Sequence, residues 1–126
     1  MHQTDPTTAV TIDIVQRYNN AFNSGDVDGV MAAMTDDCVV ETPMPPPNGS
    51  RFQGQDAVRG LWREFFQSSS SIEFETEDIF ASGDRCLVQW TFRWVGPDGE
   101  PGHVRGVDVF KVRDGKVAEK LVYVKG

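Results

Sequence analysis

HVRGVDVFKV, residues 103–112, decides how this chain folds. Read with a period of two, Val104, Gly106, Asp108, Phe110 and Val112 share one face, and His103, Arg105, Val107, Val109 and Lys111 share the other. Side chains alternate across a strand, so this is a β-strand with one apolar and one mixed face. Asp108 stands on the apolar face. A charged carboxylate there is costly unless it is paired or takes up a proton instead. Two readings are open: a carboxylate paired with Lys120 or Arg105, or an acid held at a site.

The neighbouring stretches are strands too. Arg85–Val95 alternates Cys86, Val88, Trp90, Phe92 and Trp94 against Leu87, Gln89, Thr91, Arg93 and Val95, and GPDGEPG at 96–102 reads as the hairpin loop between the two. Ile72–Phe80 precedes, with Ala81–Asp84 as a turn, and Lys116–Val124 comes after a turn at Arg113–Lys116. If that last loop is the two residues Asp114-Gly115, Leu121 lies opposite Asp108. With three residues and Gly115 in a bulge, Lys120 does.

The N-terminal half reads as helical. In Thr8–Asn23, Val10, Ile14, Tyr18, Ala21 and Phe22 recur at three and four, and Gly25 is placed to cap the end. Asp26 then caps a short helix running to Met34, and Gly54–Gln67 carries the stripe Val58, Leu61, Trp62, Phe65 and Phe66, broken by serines 68–71. Between these helices, Cys38–Thr42 is a short strand. Pro43–Pro47 with Asn48-Gly49-Ser50 is a stiff loop, because proline fits neither a helix interior nor a central strand. The layout is α+β: a cone-shaped curved antiparallel sheet wrapped by three N-terminal helices, enclosing an interior suited to a small ligand. Residues 1–7 read as a disordered N-terminus and 8–126 as a single domain.

Net charge is −7 over 126 residues, with no Lys/Arg cluster, so nucleic acid and anionic membrane are poor partners. No apolar run is long enough to span a bilayer, and MHQTDPTTA has the features of no signal peptide. The two cysteines, Cys38 and Cys86, read as buried free thiols of a cytoplasmic protein. The spacing holds no metal motif and no phosphate loop, and no cofactor is expected. By pattern, the interior receives Asp108, Tyr18 and Thr42, with indole N–H groups from Trp62 and Trp90. Tyr18 beside a protonated Asp108 would aim two donors at one point and hold a carbonyl oxygen. The plainer reading of Tyr18 is a core tyrosine with its hydroxyl at the surface. Leu61, Val88, Phe92, Phe110 and Val122 complete the expected ligand-binding wall.

Two stretches carry a resemblance. Phe22-Asn23-Ser24-Gly25-Asp26 with Thr35–Glu41, and Gly106–Val117, resemble the early and late signatures of the nuclear-transport-factor-2-like, or SnoaL-like, superfamily of cone-shaped α+β barrels. The similarity spans nearly everything beyond residue 8. The superfamily includes isomerases, cyclases, epoxide hydrolases, dehydratases and non-catalytic binders. In the ketosteroid isomerase branch an Asp base works against an oxyanion hole of Tyr and protonated Asp. The resemblance puts Tyr18 and Asp108 at the two oxyanion positions and Thr42 where the base belongs. Threonine cannot take a proton at neutral pH, and Glu41 points to the other face of its strand. Lys120–Tyr123 lacks the acids that epoxide-hydrolase-like members carry on the last strand, and His103, opposite Asp108, is the sole candidate for the histidines of dehydratase and cyclase branches. The expectation is a small-molecule-binding protein with a Tyr/Asp oxyanion-type pair, an isomerase or cyclase acting on a carbonyl compound. The alternative is a non-catalytic ligand-binding or interaction module of the same fold. Val107, Val109, Leu121 and Tyr123 form an outer apolar patch, which, with the resemblance, implies a homodimer through the sheet.

Overall fold

The computed structural model describes residues 5–68 and 72–125. Helix α1 (Pro6–Asn23) begins with an Asp5 N-cap that accepts from the Thr8 amide, and Pro6 occupies its first turn. The helix therefore starts two residues earlier than the apolar period suggests, and Asp5, Pro6 and Thr7 form its capped start. Its buried face also differs from that period. Val10 is exposed, while Thr8 and Thr11 are buried beside Ile14, Val15, Tyr18 and Phe22. The threonines are there for their hydroxyls: Thr11 Oγ1 donates to the Gly83 carbonyl at 2.7 Å, and Thr8 Oγ1 accepts from the Gly83 amide at 2.9 Å.

Helix α2 (Val27–Ala32), capped by Asp26, stops short of Met34, which instead opens strand β1 (Met34–Thr42). Beyond the proline loop lies β2 (Ser50–Gln53), a strand that no sequence pattern marks. It pairs antiparallel with β1, Thr42 facing Ser50. The return depends on Gly49, whose φ is +73° and whose missing side chain would collide with the Thr42 carbonyl. Helix α3 (Gln55–Ser68) comes next, its Gln55 amide within 3.0–3.2 Å of the Met31, Met34 and Thr35 carbonyls. Of the serines expected to end it, Ser68 is still helical, and 69–71 lie outside the described residues.

The remaining strands are β3 (Ile72–Ser82), β4 (Arg85–Val95), β5 (Pro101–Arg113) and β6 (Lys116–Val124). The six-stranded sheet runs β2-β1-β6-β5-β4-β3, antiparallel except for the β1–β6 pair. Besides an irregularity between Met34 and Val39 of β1, two bulges break strict alternation among the described residues. One at Glu77 turns Ile79 and Ala81 to the core and leaves Phe80 54% exposed outside. The other, at Ala118, lies just past the two-residue turn Asp114-Gly115. Each bulge adds one residue to its strand and moves the residues beyond it to the opposite face.

On β5, Gly106 and Gly102 sit opposite Trp90 and Trp94, and both indoles rest on bare backbone. A Cβ on Gly106 would meet the Trp90 ring at 2.8 Å and the Tyr123 carbonyl closer still. Gly106→Ala is therefore expected to lower unfolding free energy by about 1–3 kcal/mol in urea titration. Gly60→Ala, on an open face of α3, is expected to raise it by about 0.5–1 kcal/mol. Equal effects at the two sites would contradict the steric role of Gly106.

Candidate functional site

The Ala118 bulge decides what meets Asp108. Val122 lies directly opposite it, and Leu121 pairs with Val109, so neither register expected from the turn is the one adopted. Lys120, opposite Phe110, nevertheless shares the inner face, and its Nζ stands 3.8 Å from Asp108 Oδ2. Arg105 does not compete: it lies on the outer face, bound to Glu77 at 3.1 Å. Lys120 and Asp108 are only 4% and 6% exposed. The ammonium also donates to Tyr18 Oη at 3.4 Å, which places that hydroxyl in the interior and not at the surface. Four rings surround Nζ: Phe22 at 3.9 Å to the centroid, Trp62 at 4.8 Å, Tyr18 at 5.1 Å and Phe110 at 5.8 Å. Their π faces recover part of what the cation loses in hydration.

Burial acts on each group in its own direction. Loss of water raises the Asp108 carboxyl above its ordinary range, against the opposing pull of Lys120 and of the Trp90 indole leaning toward it. The same loss pulls Lys120 below the usual ammonium range, with Asp108 opposing. Tyr18 is raised well above 10 by burial and by the nearby Asp108 and Cys38, so it remains a phenol. Cys38 and Cys86 are buried free thiols, and burial pushes Cys86 to about 11, which keeps it unreactive.

Above the pair opens a cavity of about 530 Å³. Phe22, Leu61, Trp62, Phe65, Phe74, Trp90, Phe92 and Trp94 wall it, Val104, Val122 and Val124 line the sheet side, and Thr42, Pro43 and Met44 form the loop side. Asp108 and Lys120 supply its charged groups. Of the expected ligand wall, Thr42, Leu61, Trp62, Trp90, Phe92 and Val122 line this space. Val88 and Phe110 do not; they pack in the core, Phe110 beneath Lys120 and against the Tyr18 ring at 5.5 Å. Tyr18 does not line the cavity either, because Lys120 stands between it and the open space. Sequence reasoning offers Lys120 as a partner for Asp108 and does not place it at the site; the one available signal is a lysine beside the aliphatic pair Leu121-Val122. Thr42 is occupied with its loop, its hydroxyl 3.0 Å from the Met44 carbonyl and 3.3 Å from the Ser50 amide. His103 lies in a separate open groove with Glu73 and Arg93.

Several buried polar atoms of the cavity residues have no partner. Among the described residues these are Asp108 Oδ1, Trp62 Nε1 and Trp90 Nε1, the Trp90 indole leaning toward Asp108 without reaching hydrogen-bond geometry. Unpaired buried polar groups are uncommon in native proteins, and three around one apolar space mark where a ligand's polar atoms would fit. No group of three His, Cys, Asp or Glu among the described residues could hold a metal ion, and no helix among them is long and apolar enough to cross a membrane.

The SnoaL-like domain model matches residues 15–120. The chain belongs to the SnoaL-like family. An NTF2-like protein of unknown function from Mesorhizobium loti is 33% identical, with a TM-score of 0.82 over 99% of this chain and 98% of that one. An LEH-like epoxide hydrolase from M. tuberculosis is 29% identical, with a TM-score of 0.78 over 95% of this chain and 86% of the other. A candidate SnoaL-like polyketide cyclase from Jannaschia sp. CCS1 shares the fold at 18% identity and a TM-score of 0.85, over 99% of this chain and 92% of that one. In this SnoaL-like chain the α+β layout read from the sequence is the one observed, with β2 added.

The buried pair makes opposite pH signatures for its two halves. Removing either partner is expected to cost about 3–5 kcal/mol near neutral pH, because the other is left uncompensated. In Lys120→Met, Asp108 binds its proton more tightly folded than unfolded, where its pKa is near 3.9. Its folded form thus gains on acidification, and the deficit against the parent shrinks as pH falls. In Asp108→Asn, Lys120 binds its proton less tightly folded than unfolded, where its pKa is near 10.4. Stability then rises with pH, and the deficit shrinks toward alkaline pH. Denaturant titrations across the pH range would show slopes of opposite sign; parallel slopes would mean that the pair is hydrated.

Proposed function

We propose that this protein binds a small, mostly apolar carbonyl compound, with the ligand's oxygen against Asp108 and Lys120 and its carbon skeleton among the aromatic rings. The observation that carries this reading is the set of partnerless polar atoms, Asp108 Oδ1 with Trp62 and Trp90 Nε1, at an otherwise apolar cavity. Asp108, raised by burial toward its protonated form, can donate to a carbonyl oxygen. Lys120 adds a second donor, and Tyr18 acts behind it as the positioning group of the pair. Two donors at one oxygen stabilise the enolate formed on proton transfer or the alkoxide of an aldol closure. Isomerase or cyclase chemistry is the reaction class this supports. Thr42, held by its loop, supplies no base and Asp108 already carries its proton, so the α-proton would pass to the Lys120 amine or, in a non-catalytic binder, stay in place.

Titration calorimetry with 2-naphthol, whose phenol imitates an enol, tests the reading. Asp108→Asn is expected to weaken binding about ten-fold, the worth of one hydrogen bond to a charged or acidic group. Tyr18→Phe is expected to weaken it less, since Lys120 intervenes. Unchanged affinity in Asp108→Asn would remove the polar end of the site.

A second reading concerns the outer face of the sheet. Val107 and Tyr123 pair across β5 and β6, as do Val109 and Leu121, with Leu87 next to Val109 and Phe80 beyond it. Phe80 and Tyr123 are each 54% exposed. Apolar area of this kind favours a second copy packed face to face. Sedimentation equilibrium is expected to give a dimer for the parent and a monomer for Val109→Lys; a monomeric parent at high micromolar concentration would overturn the assignment.

A further inference from the structure

We infer that Lys120 is a reactive amine that forms a reversible imine with aldehydes or ketones entering the aromatic cavity. The placement is what an amine nucleophile requires. Lys120 lines an apolar space of about 530 Å³, large enough for a bicyclic ligand, and is itself only 4% exposed. A carboxyl stands 3.8 Å away and a phenol 3.4 Å away, both positioned to move protons at that nitrogen. Asp108 still has an oxygen without a partner, free to meet the oxygen of the incoming carbonyl. Aromatic rings on several sides limit the positions of the lysine tip, so a carbonyl carbon would meet the nitrogen over a narrow range of approach.

The proton inventory permits the chemistry. An ammonium–carboxylate pair and an amine–carboxylic acid pair hold the same protons, and the second is the form favoured by removal from water. Burial lowers Lys120 and raises Asp108, both toward that neutral form. Lysines desolvated in apolar pockets are the usual amine nucleophiles for carbonyl compounds. In the step itself, the Nζ lone pair attacks the carbonyl carbon and a C–N bond forms. The carbonyl π pair moves to oxygen, which takes the Asp108 proton. The nitrogen then returns a proton to the Asp108 carboxylate. Reprotonated by Asp108, the hydroxyl leaves as water while a second nitrogen proton passes to the carboxylate and the C=N bond closes. The balance is amine plus carbonyl giving imine plus water, with no oxidant or reductant. Hydrolysis reverses it. Protonated at nitrogen by Asp108, the imine of a ketone or aldehyde bearing an α-hydrogen becomes an iminium, which acidifies that position and leaves the Asp108 carboxylate to take the α-proton. This supplies the activation that a carbonyl isomerase or aldol-type cyclase needs without a dedicated carboxylate base at Thr42.

This inference rests on the carbonyl-binding reading, and the experiment separates the two. The full chain is incubated near neutral pH with limiting 2-naphthaldehyde and sodium cyanoborohydride, which reduces an imine to a stable amine. Adducts are then located by peptide mass mapping. Lys120 is expected to carry at least ten-fold more naphthylmethyl label than Lys111, Lys116 or Lys125, with labelling slowed by 2-naphthol. Asp108→Asn is expected to slow the labelling at least five-fold, because the proton donor is lost. Labelling of the parent at Lys120 no faster than at the other lysines would overturn the imine, whatever the variants do. If 2-naphthol binds while Lys120 stays unlabelled, the carbonyl pocket stands and the imine falls. If 2-naphthol does not bind and Lys120 stays unlabelled, both fall. Preferential labelling of Lys120 that 2-naphthol leaves unslowed would count against the cavity as the site of capture.

Discussion

An acid and an amine removed together from water impose the tightest constraint on this molecule. Asp108 on β5 and Lys120 on β6 could each be tolerated alone only by changing protonation, and together they must stay within a few ångströms. Everything around them serves that placement. The bulge at Ala118 turns Lys120 inward. Phe22 from α1 and Trp62 from α3 close over its tip, with Phe110 beneath. A hydrophobic pair of the same volume would often be as stable or more so. Stability alone therefore does not account for an acid and an amine at the inner end of an open cavity.

The aromatic lining is also a structural solution. Phe74 and Phe92 stack at 4.5 Å across β3 and β4, Phe22 meets Trp62 edge-on at 4.9 Å, and Trp90 and Trp94 rest on glycine backbone. Rings held on one side by a sheet and on the other by helices have little freedom to collapse into the space between them. That is why Trp62, Trp90 and Phe92 wall the cavity without closing it. The cavity thus has an inner end of ionisable groups and a wall of rings.

Much of this is legible in residues alone, and the misses have physical causes. Period-two patterning locates β4 at Arg85–Val95, because a long antiparallel strand with one buried face alternates strongly, and the turn at Arg113–Lys116 places β6 at Lys116–Val124. Asp108 announces itself by being on the wrong face. The bulges at Glu77 and Ala118 do not, since neither carries glycine or proline and both are decided by packing across the sheet. With the bulge invisible, Lys120 can be named as a partner but not seated at the site. Thr8 and Thr11 escape notice for a related reason: they are buried to satisfy the Gly83 backbone, which an apolar count ignores. Four residues of β2 are too few, and too close to the proline loop, to show a period.

The tie between α1 and Gly83 has a bearing on how the chain reaches this state. It joins residues 72 and 75 positions apart, so the first helix cannot dock on its final seat until the β3–β4 turn exists. The parallel β1–β6 pairing adds a similar span, from Val40 to Lys120. Helix α1 can form locally and early, but its burial waits for loop closure on the scale of most of the chain. Folding is thus governed by the rate of long-range encounter more than by helix formation. The strand that delivers Lys120 beneath the cavity is also the last of the six to be synthesised, so the polar end of the site is completed only after every other strand has left the ribosome.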